Sequence, residues 1–176
     1  MSKHKTLIYT ALYPEAKPLI HYFKLIQNKT YEPLKIFENE TYILVVGGIG
    51  RNQTQAILPF IYETFEIDKS INIGIAGSKD KSIKLGSLFC VNHVLNGIPR
   101  TTITTVDAPF DDSSLLETTL VDMEADSFLT VSKKYLSQKD IYVFKVVSDY
   151  LSKNIPDKSF VYNSIKKSIA KWEIVI

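Results

Sequence analysis

The sequence predicts an α/β fold in which helices cover both faces of a central mixed sheet. Short, strongly apolar segments alternate with segments whose apolar residues recur at the spacing of one helix face. The chain has 176 residues, of which 45% are hydrophobic and 23% charged, as in an ordinary globular protein with a sizeable core. No repeat, linker or low-complexity stretch divides it. We therefore expect one three-layer α/β/α domain over residues 1–176.

The first half of the chain is predicted to run β-α-β-β-α-β. Thr6–Leu12 is apolar except for its threonines, as expected for a strand covered on both faces. The next strands are the pair Leu34–Phe37 and Tyr42–Val46, followed by Ile71–Ile75. The intervening helices each show one apolar face, formed by Ala16, Leu19, Ile20, Phe23 and Ile26 in the first and by Ala56, Ile57, Phe60, Ile61 and Phe65 in the second. Pro59 is expected to kink or shorten the second helix.

The second half of the chain supplies four more extended segments and two helices. The extended segments are Ser87–Val94, Thr101–Val106, the short Leu120–Asp122 and the strongly apolar Ile141–Val147. One helix follows Leu120–Asp122 and the other closes the chain; their apolar faces comprise Ala125, Phe128, Leu129, Ser132 and Leu136, and Val161, Ile165, Ile169 and Trp172. Without the short Leu120–Asp122 segment, the order β-α-β-β-α-β-β-β-α-β-α favours a largely parallel or mixed sheet.

Composition argues against several classes of function. The formal net charge is +2 and the basic residues are spread along the chain, which disfavours a nucleic-acid-binding protein. Cys90 is the single cysteine and lies in an apolar run, as expected of a buried, reduced side chain. No apolar stretch is long enough to span a membrane, and Leu7–Leu12 is too short for a signal-peptide core, so we expect a cytoplasmic protein. His4, His21 and His93 show no metal-ligand spacing, and we expect neither a metal nor a cofactor.

Acidic residues follow the predicted strands at three places. Glu15 comes after the first strand, Glu124 after the short extended segment and Asp149 after the last long strand. Parallel strands bring their carboxyl ends to the same edge of a sheet, where ligands bind in open α/β folds. Each of these residues also suits the first turn of a helix, where the helix dipole favours an acid. Together they predict one acidic cleft.

Two glycine turns occupy similar positions. Gly47–Gly50 leads from a strand into a helix, and Gly74–Gly77 ends another strand. Backbone N–H groups in such turns approach an anion or a sugar hydroxyl closely. Neither turn matches a P-loop or the G-x-G-x-x-G spacing of dinucleotide sites, and a purely structural turn explains each equally well.

Taken in order, the motifs resemble those of the nucleoside phosphorylase family, and most closely its methylthioadenosine/S-adenosylhomocysteine nucleosidases. The likeness extends from the first strand to the last helix. Its most specific parts are the D-M-E-A and S-D motifs. The motifs are Ala11-Leu12-Tyr13-Pro14-Glu15-Ala16, Gly48-Ile49-Gly50-Arg51, Asn72-Ile73-Gly74-Ile75-Ala76-Gly77, Leu85-Gly86-Ser87, Val121-Asp122-Met123-Glu124-Ala125 and Val147-Ser148-Asp149. The resemblance implies a phosphorylase/hydrolase-like fold.

The resemblance also implies roles for the acidic residues in cleaving an N-glycosidic bond. Cleavage builds positive charge on the ribose and negative charge on the purine. Asp149 matches the acid that protonates the purine at N7, which requires it to be protonated when substrate is bound, and Ser148 would orient it. Glu124 matches the carboxylate that binds the ribose hydroxyls, with Met123 packed on the sugar. Glu15 matches the general base that activates water.

Further residues complete the predicted site. Ile49, Ala76 and Gly77 belong to the predicted substrate-binding set through the two glycine turns. Phe110 is a candidate for stacking on the purine, and a core aromatic is an equal reading. Gly50 and Arg51 form a possible phosphate site.

The branches of the family differ in the group that attacks the sugar: nucleosidases use water, and phosphorylases use phosphate. A carboxylate at Glu15 would repel phosphate, so the sequence favours a nucleosidase that uses water on an adenine-type nucleoside. Arg51 beside the glycine turn keeps a phosphate-dependent purine nucleoside phosphorylase as the alternative. A catalytically weak nucleoside-binding homologue is the second alternative.

The sequence departs from the family pattern in two places. Ile75 stands where the family usually has a small hydroxyl residue, and the stretch between Val94 and the D-M-E motif is shorter than in typical relatives. In those relatives the longer stretch supplies part of the dimer contact and of the pocket for the 5′ substituent. A more open site, a different substrate or a loss of activity would each follow from this. The family resemblance still implies a homo-oligomer, most simply a dimer.

Overall fold

The computed structural model describes residues 4–152, 154 and 156–175. Its strands are β1 (Lys5–Thr10), β2 (Ile26–Gln27), β3 (Lys35–Glu38), β4 (Tyr42–Val46), β5 (Ile67–Ser78), β6 (Leu88–Cys90), β7 (Ile103–Thr105), β8 (Leu120–Asp122) and β9 (Ile141–Asp149). Its α-helices are α1 (Tyr13–Phe23), α2 (Arg51–Thr64), α3 (Ala125–Ser132) and α4 (Lys158–Trp172).

The strands form one mixed sheet with the long strand β5 at its centre. The main path runs β2-β3-β4-β1-β5-β8-β7, and β9 pairs with both β5 and β6. β1 pairs in parallel with β4 and β5, and β5 pairs in parallel with β9. β8 adds to the end of β5 in antiparallel register, with Gly77 opposite Val121. The mixed sheet predicted from the sequence is confirmed.

Two apolar layers cover the sheet. Residues alternate between its faces along each strand, so Leu7 packs in one layer and Ile8 in the other. The layer containing Ile8 is closed by α1 and α4, with Trp172 fully buried. The layer containing Leu7 is closed by α2 and α3, with Phe128 fully buried. This is the predicted α/β/α arrangement.

The first helix is shorter than its apolar pattern predicts. α1 ends at Phe23 because Lys24 adopts a left-handed conformation with φ of 55° and its N–H bonds to the Ile20 carbonyl. Ile26 therefore lies on the edge strand β2 and is 76% exposed, so its assignment to the buried helix face is wrong. Two extended segments are also shorter than predicted, since pairing limits them to β6 and β7.

The buried face of α2 differs from the predicted one. The helix continues without a break through Pro59 to Thr64, so the proline does not shorten it. Its buried residues are Thr54, Leu58 and Ile61, whereas Phe60, predicted to be buried, is 40% exposed. Apolarity alone misplaces this face because one of its inward positions is a threonine, which forms hydrogen bonds inside the protein.

The two longest strands extend further than their apolar runs indicate. β5 continues through Gly77 to Ser78, and β9 continues through Ser148 to Asp149. The S-D motif thus ends a strand rather than following it. Cys90 is buried and free, as predicted. Within the described residues, no helix is long and apolar enough to cross a membrane.

Candidate active site

A cavity lies where β4, β5, β7, β8 and β9 end and β1 gives way to α1. Its wall includes Leu12 after β1, Ile75 near the end of β5 and Val106 directly after β7. The predicted site residues that line it are Glu15, Ile49, Ala76, Gly77, Phe110, Met123, Glu124, Ser148 and Asp149. Residues separated along the chain therefore meet in one place. Glu15 follows β1 and Asp149 ends β9, and both strands run parallel to β5, as the strand-end argument expects. Glu124 instead follows β8, which runs antiparallel to β5. Gly50 and Arg51 are outside the lining set.

Glu15 is fixed in the first turn of α1 by three backbone N–H groups. Its Oε2 accepts hydrogen bonds from Ala11 (3.1 Å) and Leu12 (2.8 Å), and its Oε1 accepts one from Ile75 of β5 (2.9 Å). The first two bonds are local to the start of the helix. The third crosses to the central strand and holds the carboxylate over the sheet. Glu15 is only 2% exposed, yet it lines the cavity.

Burial dominates the electrostatics of Glu15. Loss of water raises its pKa to about 7, against the lowering effects of the Leu12 and Ile75 N–H groups and of Lys145. The carboxylate also requires Gly74 beside it, because a Cβ at that position would lie 2.9 Å from Oε1. A buried carboxyl group that exchanges its proton near neutral pH is suited to general base chemistry.

Glu124 directly precedes α3 and faces the glycine turn before α2. Its Oε1 accepts a 2.7 Å hydrogen bond from the Gly50 N–H, although the two residues are 74 positions apart. Burial raises the pKa of Glu124, nearby Lys145 lowers it, and the Asp122 carboxylate raises it again. Gly50 thus contacts the acidic cluster through its N–H group while lying outside the cavity lining.

Asp149 ends β9 and is held by its neighbours on both oxygens. Ser148 Oγ donates to its Oδ2 at 2.6 Å, and the Ser152 N–H donates to its Oδ1 at 2.8 Å. Ser148 Oγ also lies 3.3 Å from the carbonyl oxygen of Ala76. Gly77 provides space on the other side, since a Cβ there would lie 3.1 Å from Asp149 Oδ1. The carboxyl group is therefore oriented by the S-D motif and by the turn after it.

A buried ion pair that the sequence reading missed completes the cluster. Lys145 of β9 is 1% exposed, and its Nζ lies 2.8 Å from Oδ2 of Asp122 at the end of β8. The same Oδ2 accepts the Ala125 N–H at 2.8 Å, while Oδ1 accepts the Thr105 hydroxyl at 2.7 Å. The sequence does contain a signal for this ion pair, since Lys145 lies inside an otherwise apolar strand. A buried position in such a strand rarely holds an unpaired charge.

Lys145 is the cation of a mainly acidic interior. Burial alone would lower its pKa, but Asp122, Glu124 and Glu15 raise it more, so the net direction is upward. The ammonium group therefore stays charged among three carboxyl groups. It lowers the pKa of both Glu15 and Glu124 in return.

Arg51 is engaged by other groups of the protein. Its Nε lies 3.0 Å from Asp107 Oδ1, its Nη1 lies 2.5 Å from Asp126 Oδ2, and its Nη2 donates to the Thr105 carbonyl at 3.1 Å. These contacts join the start of α2 to the start of α3 and to the loop after β7. The arrangement weighs against the predicted phosphate site at Gly50 and Arg51.

Most of the remaining wall is apolar, with Asp122, Ser152 and Asn154 as polar exceptions. Phe110 is half-buried; it lines the cavity and also packs beside a small cluster of Leu116, Val121 and Leu151. Its two predicted readings, base-stacking and core aromatic, are therefore compatible. Among the described residues, no group of three or more His, Cys, Asp or Glu side chains is arranged to hold a metal ion.

Comparison with solved structures identifies the fold. No protein-family model matches the sequence, and no match is found among curated proteins. The 5′-methylthioadenosine/S-adenosylhomocysteine nucleosidase of Helicobacter pylori superposes with a TM-score of 0.82 at 15% identity, over 99% of this chain and 98% of that one. Futalosine hydrolase of the same organism gives a TM-score of 0.81 at 15% identity, over 97% and 96% of the two chains.

A third neighbour is somewhat closer in sequence. It is the Chlamydia trachomatis structure called MTAN and bound to MTA, with a TM-score of 0.78 at 21% identity, over 98% of this chain and 100% of that one. At such identities the likeness establishes the fold alone. The phosphorylase/hydrolase-like fold implied by the sequence motifs is thereby confirmed.

Proposed function

We propose that the protein is a purine nucleosidase that cleaves the N-glycosidic bond of an adenine-type nucleoside by acid-assisted attack of water. The proposal rests on one observation. Glu15, Glu124 and Asp149 come from distant parts of the chain and line a single cavity in this fold. The solved structures of this fold include enzymes named as methylthioadenosine/S-adenosylhomocysteine nucleosidases and as a futalosine hydrolase.

Asp149 is the proposed acid. When the bond between C1′ and the purine breaks, its electron pair moves into the base, and a proton delivered to N7 neutralises the developing charge. The two groups that hold the Asp149 carboxyl oxygens, Ser148 Oγ and the Ser152 N–H, fix its direction before substrate arrives. Such preorganisation supports proton transfer because little rearrangement is needed during the reaction.

Glu124 is the proposed ribose anchor. One of its oxygens is held by Gly50, which leaves Oε2 to accept ribose hydroxyl groups. Its negative charge also faces a sugar that becomes positive as the bond breaks, so this contact strengthens in the transition state. Met123 lines the cavity beside it and would pack on the sugar.

Glu15 is the proposed base. Its Oε1 uses one lone pair for the Ile75 N–H and retains another for a water molecule. The water oxygen bonds to C1′ and its proton passes to Glu15, so the products are the free purine and the free sugar. A pKa of about 7 lets the group accept that proton near neutral pH.

Water is favoured over phosphate by the groups around Glu15. A phosphate beside the carboxylate would be repelled, and binding it would need a cationic or N–H-rich cradle. Arg51 is already bound to Asp107 and Asp126, Lys145 is paired with Asp122, and Ile75 offers no hydroxyl group. The phosphorylase alternative would require these groups to rearrange.

The apolar wall bears on the 5′ substituent. Leu12, Ile49, Val106 and Phe110 line the cavity without adding charge, which favours an uncharged 5′ group such as a methylthio group over a phosphate. One neighbour is a nucleosidase complexed with 5′-methylthioadenosine.

We further propose that the protein is cytoplasmic and forms a homodimer. Sedimentation at micromolar concentration measures the oligomeric state directly.

The test is release of free base from methylthioadenosine, S-adenosylhomocysteine, adenosine and inosine, each with and without phosphate. We expect phosphate-independent release from at least one adenine nucleoside. Asp149→Asn should lower the rate by about two orders of magnitude or more, while the exposed Asp68→Asn serves as a matched control of unchanged rate. Strict phosphate dependence would indicate the phosphorylase instead. Absence of release together with calorimetric binding of a purine would indicate the nucleoside-binding homologue.

A further inference from the structure

Tyr9 is a fully buried tyrosine beneath the glycine turn that precedes α2. Its hydroxyl group is outside the cavity lining, yet it occupies the space directly under Gly47, where a Cβ would lie 1.9 Å from the tyrosine oxygen. The turn is also tied to the first strand by the Gly47 N–H to the Thr10 carbonyl (2.8 Å) and by the Gly48 N–H to the Ala11 carbonyl (3.1 Å). β1 thus supports the turn from below.

A chain of hydrogen bonds connects Tyr9 to Glu124. Tyr9 OH donates to Thr54 Oγ1 at 3.2 Å, and Thr54 Oγ1 donates to the Gly50 carbonyl at 3.1 Å. The N–H of the same Gly50 donates to Glu124 Oε1 at 2.7 Å. Loss of the Thr54 hydroxyl group would leave the buried Tyr9 hydroxyl group without its acceptor and the Gly50 carbonyl with only the Thr54 N–H, at 3.3 Å.

Tyr9 also contacts the helix on the other side of the Gly50–Glu124 contact. Its ring lies 5.9 Å, centroid to centroid, from that of Phe128 in the first turn of α3, the helix that Glu124 precedes. Tyr9 therefore contacts residues near the N-termini of both α2 and α3, the two helices that the Gly50–Glu124 hydrogen bond connects. Burial, together with the Glu124 charge, raises the pKa of Tyr9 to about 12, which keeps its hydroxyl group a donor.

We propose that Tyr9 and Thr54 are positioning residues that set the place of the Glu124 carboxylate, and with it the recognition of the ribose hydroxyls. The inference rests on the proposed function of Glu124. A carboxylate that binds both a fixed N–H group and a sugar is sensitive to small displacements of that N–H. The Gly50 carbonyl accepts both the Thr54 hydroxyl group and the Thr54 N–H, so the Thr54 side chain contributes to the position of Gly50.

The variants are Tyr9→Phe and Thr54→Val, with Thr54→Ser expected to restore the wild-type behaviour. The matched control is Tyr62→Phe, a tyrosine of α2 whose hydroxyl group donates to Ser132 Oγ of α3 and lies 2.7 Å from Ser70 Oγ of β5. We expect kcat/KM for a ribonucleoside to fall about tenfold in Thr54→Val and Tyr9→Phe. For the 2′-deoxynucleoside the fall should be markedly smaller, and Tyr62→Phe should change the two substrates equally.

Two outcomes of the kinetic experiment would overturn the inference. One is an equal loss on both substrates in Thr54→Val, which is what a merely structural role produces. The other is an unreduced additional effect of Thr54→Val in a Glu124→Gln background, because residues that act through Glu124 lose their effect once it is replaced.

A wild-type protein that releases no base would overturn the proposed function separately. The positioning is then measured without turnover, from the pKa of the Glu124 carboxyl group by carbon NMR of the labelled protein. We expect Thr54→Val to raise that pKa, since a displaced Gly50 N–H no longer stabilises the charge. An unchanged value in Thr54→Val would contradict the inference.

Discussion

At the scale of single residues, Glu15 both stabilises the start of α1 and lines the cavity, and the sequence could not distinguish between these two roles. An acid in the first turn of a helix is favoured by the free N–H groups there, and its bonds to Ala11 and Leu12 are of that kind. The bond to Ile75 is different because it reaches the central strand. Full burial then makes the carboxylate costly, which is why its pKa rises to about 7.

The raised pKa predicts a pH dependence. Glu15 accepts a proton from water only when it is ionised, so its ionisation should make kcat/KM rise with pH up to about 7. Below that value the rate should fall close to tenfold for each pH unit. The measurement is kcat/KM for methylthioadenosine between pH 5 and pH 9, with circular dichroism at each pH as the control for folding. A profile that stays flat from pH 5 to 7 would contradict the assignment of Glu15 as the base.

At the scale of elements, Arg51 joins three segments that border the cavity. It begins α2, pairs with Asp126 in the first turn of α3, and holds Asp107 and the Thr105 carbonyl beside β7. The loop that follows supplies Val106 and Phe110 to the apolar wall. The guanidinium group therefore stabilises the shape of the wall, although it is outside the lining itself.

Arg51→Met is predicted to weaken substrate binding rather than the chemical step. Loss of the paired contacts should loosen the loop, raise KM about threefold to tenfold and leave kcat within about twofold. Steady-state kinetics with and without phosphate check this, and the exposed Arg100→Met is the matched control. A loss of kcat that depends on phosphate would instead support the phosphate-binding reading of Arg51.

The element scale also shows what the sequence could and could not predict. Glu15 and Glu124 both line the cavity, where acids after apolar strands were expected. Parallel pairing of β1 with β5 explains the place of Glu15. Glu124 follows β8, whose antiparallel pairing with β5 the sequence did not reveal. Lys145 and Thr54 were missed because each lies inside a regular element, where a polar residue acquires meaning only from the partner packed against it. Ile26 was misplaced because apolar spacing does not report the left-handed residue that ends α1.

At the scale of the whole molecule, the sheet brings ionisable residues from several strands and helices into one cluster. β5 pairs with β1, β8 and β9, and those neighbours or the helices after them supply all the buried ionisable groups of the site. Three of these groups are carboxyl groups, on Glu15, Asp122 and Glu124, and Lys145 is the cation among them. The cluster retains a negative balance facing the cavity, which suits a substrate that becomes positive in the transition state.

Because of this balance, loss of Lys145 should be costly to the fold. Lys145→Met leaves Asp122 buried without its partner and should lower the free energy of unfolding by roughly 3–5 kcal/mol at pH 8.

This loss of unfolding free energy should be smaller at pH 5. Glu15 has a folded-state pKa of about 7, above its ordinary value of 4.5, so the stability linked to its protonated form is present at low pH and is lost as pH rises through 7. Removing Lys145 raises that pKa further and strengthens the trend. Urea unfolding at the two pH values measures the difference, with the exposed Lys139→Met as control. An equal loss at both pH values would show that Lys145 contributes packing and not the charge that the carboxyl groups require.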